Sequence, residues 1–145
     1  MTPTPGRALG LDLGSKRVGV AIGDRTGTIA SPLLVLQRTG SLKRDHEAIA
    51  KLVIEEEADI VVVGLPLNMN GSSGPAAQAA IDEAAALATV VAVPVVTFDE
   101  RRTTVTADQA MMEAKMRAQA RRRIVDKIAA AVMLQNWLDS GGPRA

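Results

Sequence analysis

Acidic residues at three places in the chain could form one metal site. Asp12 lies near the end of an apolar segment, Asp99 and Glu100 directly follow another, and Asp126 lies within an apolar helical pattern. A carboxylate among apolar neighbours is costly unless it is paired or binds a metal. Because the chain has no cysteine and a single histidine, His46, any metal would need mainly oxygen ligands, which suit Mg²⁺ or Mn²⁺.

A cluster of such carboxylates can hold two divalent ions about 4 Å apart, an arrangement that supports phosphodiester hydrolysis. The leading interpretation is therefore a nuclease. Plainer interpretations stay open: Asp12 could cap a turn near Ser15, and Asp126 could complement a helix N-terminus or neutralise neighbouring arginines. Strand alternation sends Asp99 and Glu100 to opposite faces, and their spacing does not decide which one faces a site.

The elements that must position these acids follow from the apolar periodicity. The pattern predicts two early strands joined by a hairpin turn at 14–16, a third strand after them, then alternating helices and strands, and two helices at the end. The later strands require parallel neighbours, so the class is α/β, with a mixed sheet and helices on both faces. The predicted strands are 8–13, 17–23, one within 29–37, 59–64 and 93–98, and the predicted helices are 43–57, 75–88, 103–114 and 121–139.

Composition narrows the function further. A chain of 145 residues, 47% apolar, with a formal net charge of +1, predicts one folded domain over 7–139 with flexible tails at 1–6 and 140–145. The absence of cysteine excludes disulfides and thiolate metal sites. No apolar run reaches the ~20 residues of a membrane span, so we expect a soluble, cytoplasmic protein. With two aromatic residues, recognition by base stacking is unfavourable.

Basic residues nevertheless concentrate near the acids. The segment 115–127 holds six basic side chains and one acid, Asp126, while Lys16, Arg17, Arg101 and Arg102 flank the other acidic positions. Arginine binds phosphate oxygens well, which favours a nucleic-acid partner, although a charge run can also be a solvated helix start. The glycine-rich loop 68–74 precedes a helix and offers backbone amides to a phosphate, but it lacks the lysine of a P-loop.

Four blocks of the sequence resemble the YqgF family, also called RuvX, which comprises pre-16S ribosomal RNA nucleases related to Holliday junction resolvases. The blocks are Gly10–Ala21, Val63–Gly71, Asp99–Thr104 and Arg122–Ala130, and together they cover roughly residues 7–139. The first block alone is unspecific, since actin-like kinases share its aspartate and glycine turn. The four together are specific.

The resemblance implies a ribonuclease H-like fold and a metal-dependent site. By position in these blocks, Asp12, Glu100 and Asp126 are the expected catalytic residues and ligands of Mg²⁺ or Mn²⁺, with two ions expected. Asn70 departs from the aspartate common in the family, which leaves the role of its loop open. The expected substrate-binding residues are Lys16, Arg17, Asn68, Asn70, Gly71, Arg101, Arg122 and Arg123.

The sequence thus predicts a metal-dependent endonuclease acting on structured RNA, with processing of the 5′ end of pre-16S ribosomal RNA as its task. A Holliday junction resolvase would need the same chemistry on branched DNA and two symmetrical sites, so monomer and homodimer both stay open. A non-catalytic nucleic-acid-binding module would keep the basic surface without cleavage, and the inward acids count against it. An actin-like ATPase would need two domains around its nucleotide, whereas one is predicted.

Overall fold

A five-stranded mixed sheet is the centre of the part of the chain that the structure describes. The structure is a computed structural model that describes residues 6–65, 74–99 and 122–141, the first five residues of the last range by their backbone. The strands, in spatial order β3-β2-β1-β4-β5, combine an antiparallel β1-β2-β3 half with a parallel β1-β4-β5 half, as predicted. They are β1 Ala8–Leu13, β2 Arg17–Gly23, β3 Ala30–Gln37, β4 Ile60–Leu65 and β5 Val95–Asp99.

Three helices are described: α1 Leu42–Glu55, α2 Pro75–Ala88 and α3 Arg122–Asp139. Ser41 caps α1, since its side chain accepts a hydrogen bond from the backbone N–H of Arg44 at 3.3 Å. The helix ends two residues earlier than predicted, because Glu57 takes a positive φ of 55° and its side chain pairs with Arg25. The predicted helix over 103–114 lies outside the described residues.

One face of the sheet packs against α1 and α2 and is called here the α1/α2 face. Its strand residues are large and branched, and they alternate along β1, β2 and β4 as expected for a buried face. The cluster is completed by the apolar stripes of the two helices. Its buried members are Leu9, Leu11, Val18, Val20, Ile22, Ile49, Leu52, Val53, Ala58, Val61, Val63, Ala84, Leu87 and Val91.

The other face packs against α3 and is called the α3 face. Its strand residues include small ones, and the helix supplies most of the bulk. Gln135 ties the helix to β3, since its side chain accepts from the N–H of Ala30 and donates to the carbonyl of Thr28. The buried members of this cluster are Ala8, Ala21, Val62, Phe98, Ala130, Ala131, Met133, Leu134, Trp137 and Leu138.

Candidate active site

The parallel strands β1, β4 and β5 end at the same edge of the sheet. Leu11 pairs with Val63 of β4, and Leu65 of β4 pairs with Asp99 of β5. Asp12 is the residue after Leu11, so its carboxylate and that of Asp99 belong to this common edge. Open α/β sheets bind ligands at the carboxyl ends of their strands, so this edge is the natural place for a site.

Alternation along the strands separates Asp12 from Asp99. Ala8 packs on the α3 face, and Asp12 lies four positions further along β1, so Asp12 belongs to the α3 face as well. Phe98 also packs on the α3 face, so Asp99, the next residue, belongs to the α1/α2 face. Asp12 is half-buried, and Gly19 of β2 stands directly across from it.

Helix α3 runs antiparallel to β1 and extends toward the same edge. Leu134 contacts the backbone at Gly10, and Leu138, one turn later, lies beside Gly23 near the start of β1. Position 126 precedes Leu134 by eight residues, a rise of about 12 Å, whereas Asp12 lies about 7 Å beyond Gly10. Position 126, in the second turn of α3, therefore lies about 5 Å past the level of Asp12 along the strand direction.

The turn between β1 and β2 begins at Gly14, two residues after Asp12. The N–H of Gly14 donates to the carbonyl of Arg17 at 2.9 Å and to that of Asp12 at 3.1 Å. A side chain at position 14 would put its Cβ 2.6 Å from the Arg17 carbonyl oxygen, so the turn requires glycine. Lys16 is exposed at the tip and Arg17 is half-buried. This turn places two cations next to the edge that carries Asp12.

A buried polar network supports this turn from the α1/α2 face. Arg38, just after β3, donates Nε–H to the carbonyl of Gly14 at 2.7 Å. Its two terminal nitrogens donate to the two carboxylate oxygens of Glu83 in α2 at 2.8 and 2.9 Å, and Nη1 lies 3.7 Å from Asp45 in α1. His46 Nε2 lies 2.9 Å from Glu83 and donates to it, because an ionised carboxylate only accepts.

The network favours the charged form of each carboxylate. Burial raises the pKa of Glu83, but the hydrogen bonds from Arg38 and His46 outweigh it and leave the pKa below its ordinary value. Asp45 behaves alike: burial raises its pKa, and hydrogen bonds from the N–H and hydroxyl of Thr39, with the charge of Arg38, bring it below the ordinary value. Hydrogen bonding to Glu83 raises the pKa of Arg38.

The sequence patterns did not reveal this network, although they held a signal for it. Glu83 lies three residues after Ala80 and four before Leu87, both buried, so it occupies the apolar stripe of α2. His46 likewise lies three residues before the buried Ile49. A charged or polar residue on a buried stripe needs a partner. The identity of that partner could not be read from spacing, because Arg38 is distant in the sequence.

Most of the other predicted site residues lie outside the described side chains. Among the described side chains, no three histidine, aspartate or glutamate residues form a group that could hold a metal ion. His46, in α1, is hydrogen-bonded to Glu83 and lies on the α1/α2 side of the sheet. Arg122, Arg123 and Asp126 lie in the first turns of the α3 backbone. Glu100, Asn68, Asn70, Gly71 and Arg101 lie outside the described residues.

Comparison with known proteins adds the family. The model of the family described as "RuvX: Holliday junction resolvase" matches residues 6–140. The chain belongs to the RuvX family. A relative from Mycobacterium sp. (strain KMS) is 48% identical over 94% of this chain and 82% of its own length. Another, from Myxococcus xanthus (strain DK1622), is 44% identical over 94% of this chain and 90% of its own. Both RuvX relatives carry the name "Putative pre-16S rRNA nuclease".

A solved structure of the RuvC protein of T. thermophilus in complex with a Holliday junction substrate is similar in fold. Its TM-score is 0.61 at 16% identity, over 94% of this chain and 97% of that one. The likeness confirms the predicted ribonuclease H-like α/β class, and the family match confirms the resemblance to RuvX. The names of the relatives support the prediction of a nuclease, a hydrolase that acts on nucleic acid. None of the described helices is long and apolar enough to cross a membrane.

Proposed function

We propose that this RuvX-family chain is a metal-dependent endonuclease that cleaves structured RNA in the cytoplasm, with the 5′ end of pre-16S ribosomal RNA as its target. The observation that carries the proposal is the position of Asp12. It lies on the α3 face, at the edge where three parallel strands end, and the N-terminal part of α3 extends to that edge. The names of the relatives supply the substrate class.

Glu100 and Asp126 join Asp12 in this proposal through their neighbours. Phe98 lies on the α3 face, and Glu100 is two residues further along the chain, so continued alternation favours the α3 face for Glu100 and not for Asp99. Position 126 is one helical turn before Ala130, which is fully buried against the sheet. Both arguments rest on periodicity, and they favour Glu100 and Asp126 as the carboxylates that act with Asp12.

The donor chemistry fits a hard divalent ion. Carboxylate oxygens are the ligands that Mg²⁺ and Mn²⁺ prefer, and the residues proposed to hold such ions are Asp12, Glu100 and Asp126. When bound, such ions provide a nucleophile from water and stabilise charge on the phosphate. The chain's own cations orient the backbone of the substrate. Those proposed for this role are Lys16, Arg17, Arg101, Arg122 and Arg123, with Asn68, Asn70 and Gly71 bordering the strand.

The proposal is tested with Asp12→Asn, which keeps the size of the side chain and removes its charge. Wild type is expected to cleave a pre-16S RNA fragment with Mg²⁺ or Mn²⁺ and to stop with a chelator, and Asp12→Asn is expected to be inactive. Asp59→Asn is the matched control, because Asp59 precedes β4 at the opposite edge, where it accepts from the N–H of Arg7. Equal cleavage by Asp12→Asn and wild type would show that the site assignment is wrong.

A resolvase is the second candidate, favoured by the description of the matching family. It would cleave a four-way DNA junction at two symmetrical positions and would therefore act as a dimer. Assays with the junction and the RNA side by side, with sedimentation of the protein, separate the two. Preference for the junction by a dimeric protein would replace RNA processing as the function. Salt-sensitive binding without cleavage of either substrate would support a binding module.

A further inference from the structure

Two arginines make the same kind of contact at opposite ends of β1. At the start of the strand, Arg7 donates Nε–H to the carbonyl of Gly23 at 2.9 Å and Nη1–H to the carbonyl of Glu56 at 3.0 Å. At the end of the strand, Arg38 donates Nε–H to the carbonyl of Gly14 at 2.7 Å. Each arginine links a glycine carbonyl of the β1-β2 pair to a helix: Arg7 to the C-terminal end of α1, and Arg38 to α2. The two arginines differ in position, because only Arg38 lies beside the turn that follows the strand end carrying Asp12.

Arg38 holds the β1-β2 turn at both ends. Its side chain binds the carbonyl of Gly14, and its backbone N–H donates to the carbonyl of Lys16 at 3.0 Å. The turn begins directly after the strand that carries Asp12, and Gly14 donates back to the carbonyl of Asp12. A shift of the turn is therefore transmitted to Asp12 and Lys16, an acid and a cation of the proposed site.

The guanidinium itself has little freedom. The side chain of Arg38 is 14% exposed, and that of Glu83, which it binds with two parallel hydrogen bonds, is 11% exposed. Asp45, which is 6% exposed, lies 3.7 Å from Nη1 of the same guanidinium. Because Glu83 holds Nη1 and Nη2 of the planar group, the direction of Nε–H is fixed, and it points to the Gly14 carbonyl.

We infer that Arg38 is a positioning residue for the active site: anchored by Glu83 of α2, it fixes the turn that follows Asp12 and thereby the place of Asp12 and Lys16. The inference rests on the proposed nuclease function. Arg38 acts from the α1/α2 face, whereas Asp12 lies on the α3 face, so Arg38 acts on the site through the backbone.

Arg38→Lys separates this role from simple stability. A lysine keeps the positive charge between Glu83 and Asp45, but its donors share one nitrogen and cannot reproduce the bonds that Arg38 makes from three separate nitrogens. Arg7→Lys is the matched control, because it removes the same kind of carbonyl contact at the other end of β1. Where Arg38→Lys does not fold, Glu83→Gln serves instead, since it keeps the shape of the anchor and removes its charge.

Two measurements test the positioning role of Arg38, and one of them, hydrogen exchange, requires neither bound metal nor catalysis. In metal-free protein, hydrogen exchange at the amide of Gly14 is expected to be faster in Arg38→Lys than in wild type, and unchanged in Arg7→Lys. In cleavage assays, Arg38→Lys is expected to lose about 10–100-fold in kcat or in Mg²⁺ affinity, with KM for RNA much less affected. Arg7→Lys is expected to keep the kcat and the Mg²⁺ affinity of wild type, although it loses about as much thermal stability as Arg38→Lys.

The possible failures are distinct. Unchanged exchange at Gly14 in Arg38→Lys, or equal losses of activity in both arginine variants, would overturn the positioning role while leaving the nuclease intact. A wild-type protein that cleaves neither RNA nor a junction with any divalent ion would overturn the proposed function and, with it, the role of Arg38 in catalysis. In that case the exchange data still decide whether Arg38 holds the turn.

Discussion

Gly10→Ala tests how closely α3 must approach the sheet. Gly10 lies in the middle of β1 on the α3 face, and a Cβ built there would stand 2.9 Å from Cβ of Leu134 and 3.3 Å from its Cγ and Cδ2. The Cβ of Leu134 moves only with the helix backbone. Because ordinary contact begins at 3.4 Å, the alanine must push α3 away by about 0.5 Å or distort β1.

Gly23→Ala is the control that isolates this effect. Gly23 also lies in the sheet next to α3, but a Cβ at this position would be 3.5 Å from the Ala8 carbonyl oxygen and 3.8 Å from Leu138, which is ordinary contact. Alanine at a compatible glycine position stabilises by about 0.4–1 kcal/mol, whereas overpacking costs about 1–3 kcal/mol. The two variants should differ by about 1.4–4 kcal/mol. At about 2–4 °C per kcal/mol for chains near 150 residues, Gly10→Ala should melt roughly 3–16 °C below Gly23→Ala.

The assay has a built-in probe, since Trp137 is the sole tryptophan and is buried in α3 against the sheet. Thermal unfolding followed by circular dichroism gives Tm, and the emission maximum of Trp137 reports its burial. We expect a red shift in Gly10→Ala and none in Gly23→Ala. Equal Tm values together with unchanged emission would refute the claim that α3 is packed at the limit of contact over Gly10.

Three further predictions concern charge and capping. Lys16→Ala should weaken nucleic-acid binding and reduce the slope of log K against log salt by about 1, as measured by a salt titration. Glu83→Gln should be less stable than wild type near neutral pH, but its free energy of unfolding should fall less on acidification. The pKa of Glu83 in the folded protein lies below its ordinary 4.5. The stability that the charged carboxylate contributes is therefore present above pH 4.5 and is lost as the pH falls through the folded pKa. Denaturant unfolding between about pH 6 and pH 3 measures this. Ser41→Ala should cost about 0.5–2 kcal/mol in the same assay, because the N–H of Arg44 loses its cap.

Local patterns predicted the elements well where burial and periodicity agree. The β-branched run of β4 indicated a strand buried on both faces, and its residues Val61, Val62 and Val63 are fully buried. The row Ala130, Met133 and Trp137 indicated a buried helix face and packs on the sheet. Ile128 and Val132, on another side of this apolar helix, were also expected to be buried and are half-buried, because a helix at the outside of a layer buries one side.

Boundaries and distant partners were harder to predict for physical reasons. β5 was predicted to begin at residue 93, but it begins at Val95, because Pro94 has no N–H to give to the ladder. The carbonyl of Pro94 still accepts a hydrogen bond from the N–H of Val61, so Pro94 pairs with β4 through its carbonyl alone. The link from Arg38 to Glu83 joins separate elements that only the finished fold brings together. No periodicity within either segment encodes such a contact.

The side-chain sizes along β1 explain why the proposed site forms on the α3 face. Odd positions carry Leu9 and Leu11, which fill the space beneath α1 and α2, while even positions carry Ala8 and Gly10, which leave room for α3 to approach the backbone closely. Asp12 continues the even row. The helix packs closely over Ala8 and Gly10 and extends toward its N-terminus past the level of Asp12. A bulkier residue at position 10 would lift the helix and, with it, any partner that the helix brings to Asp12.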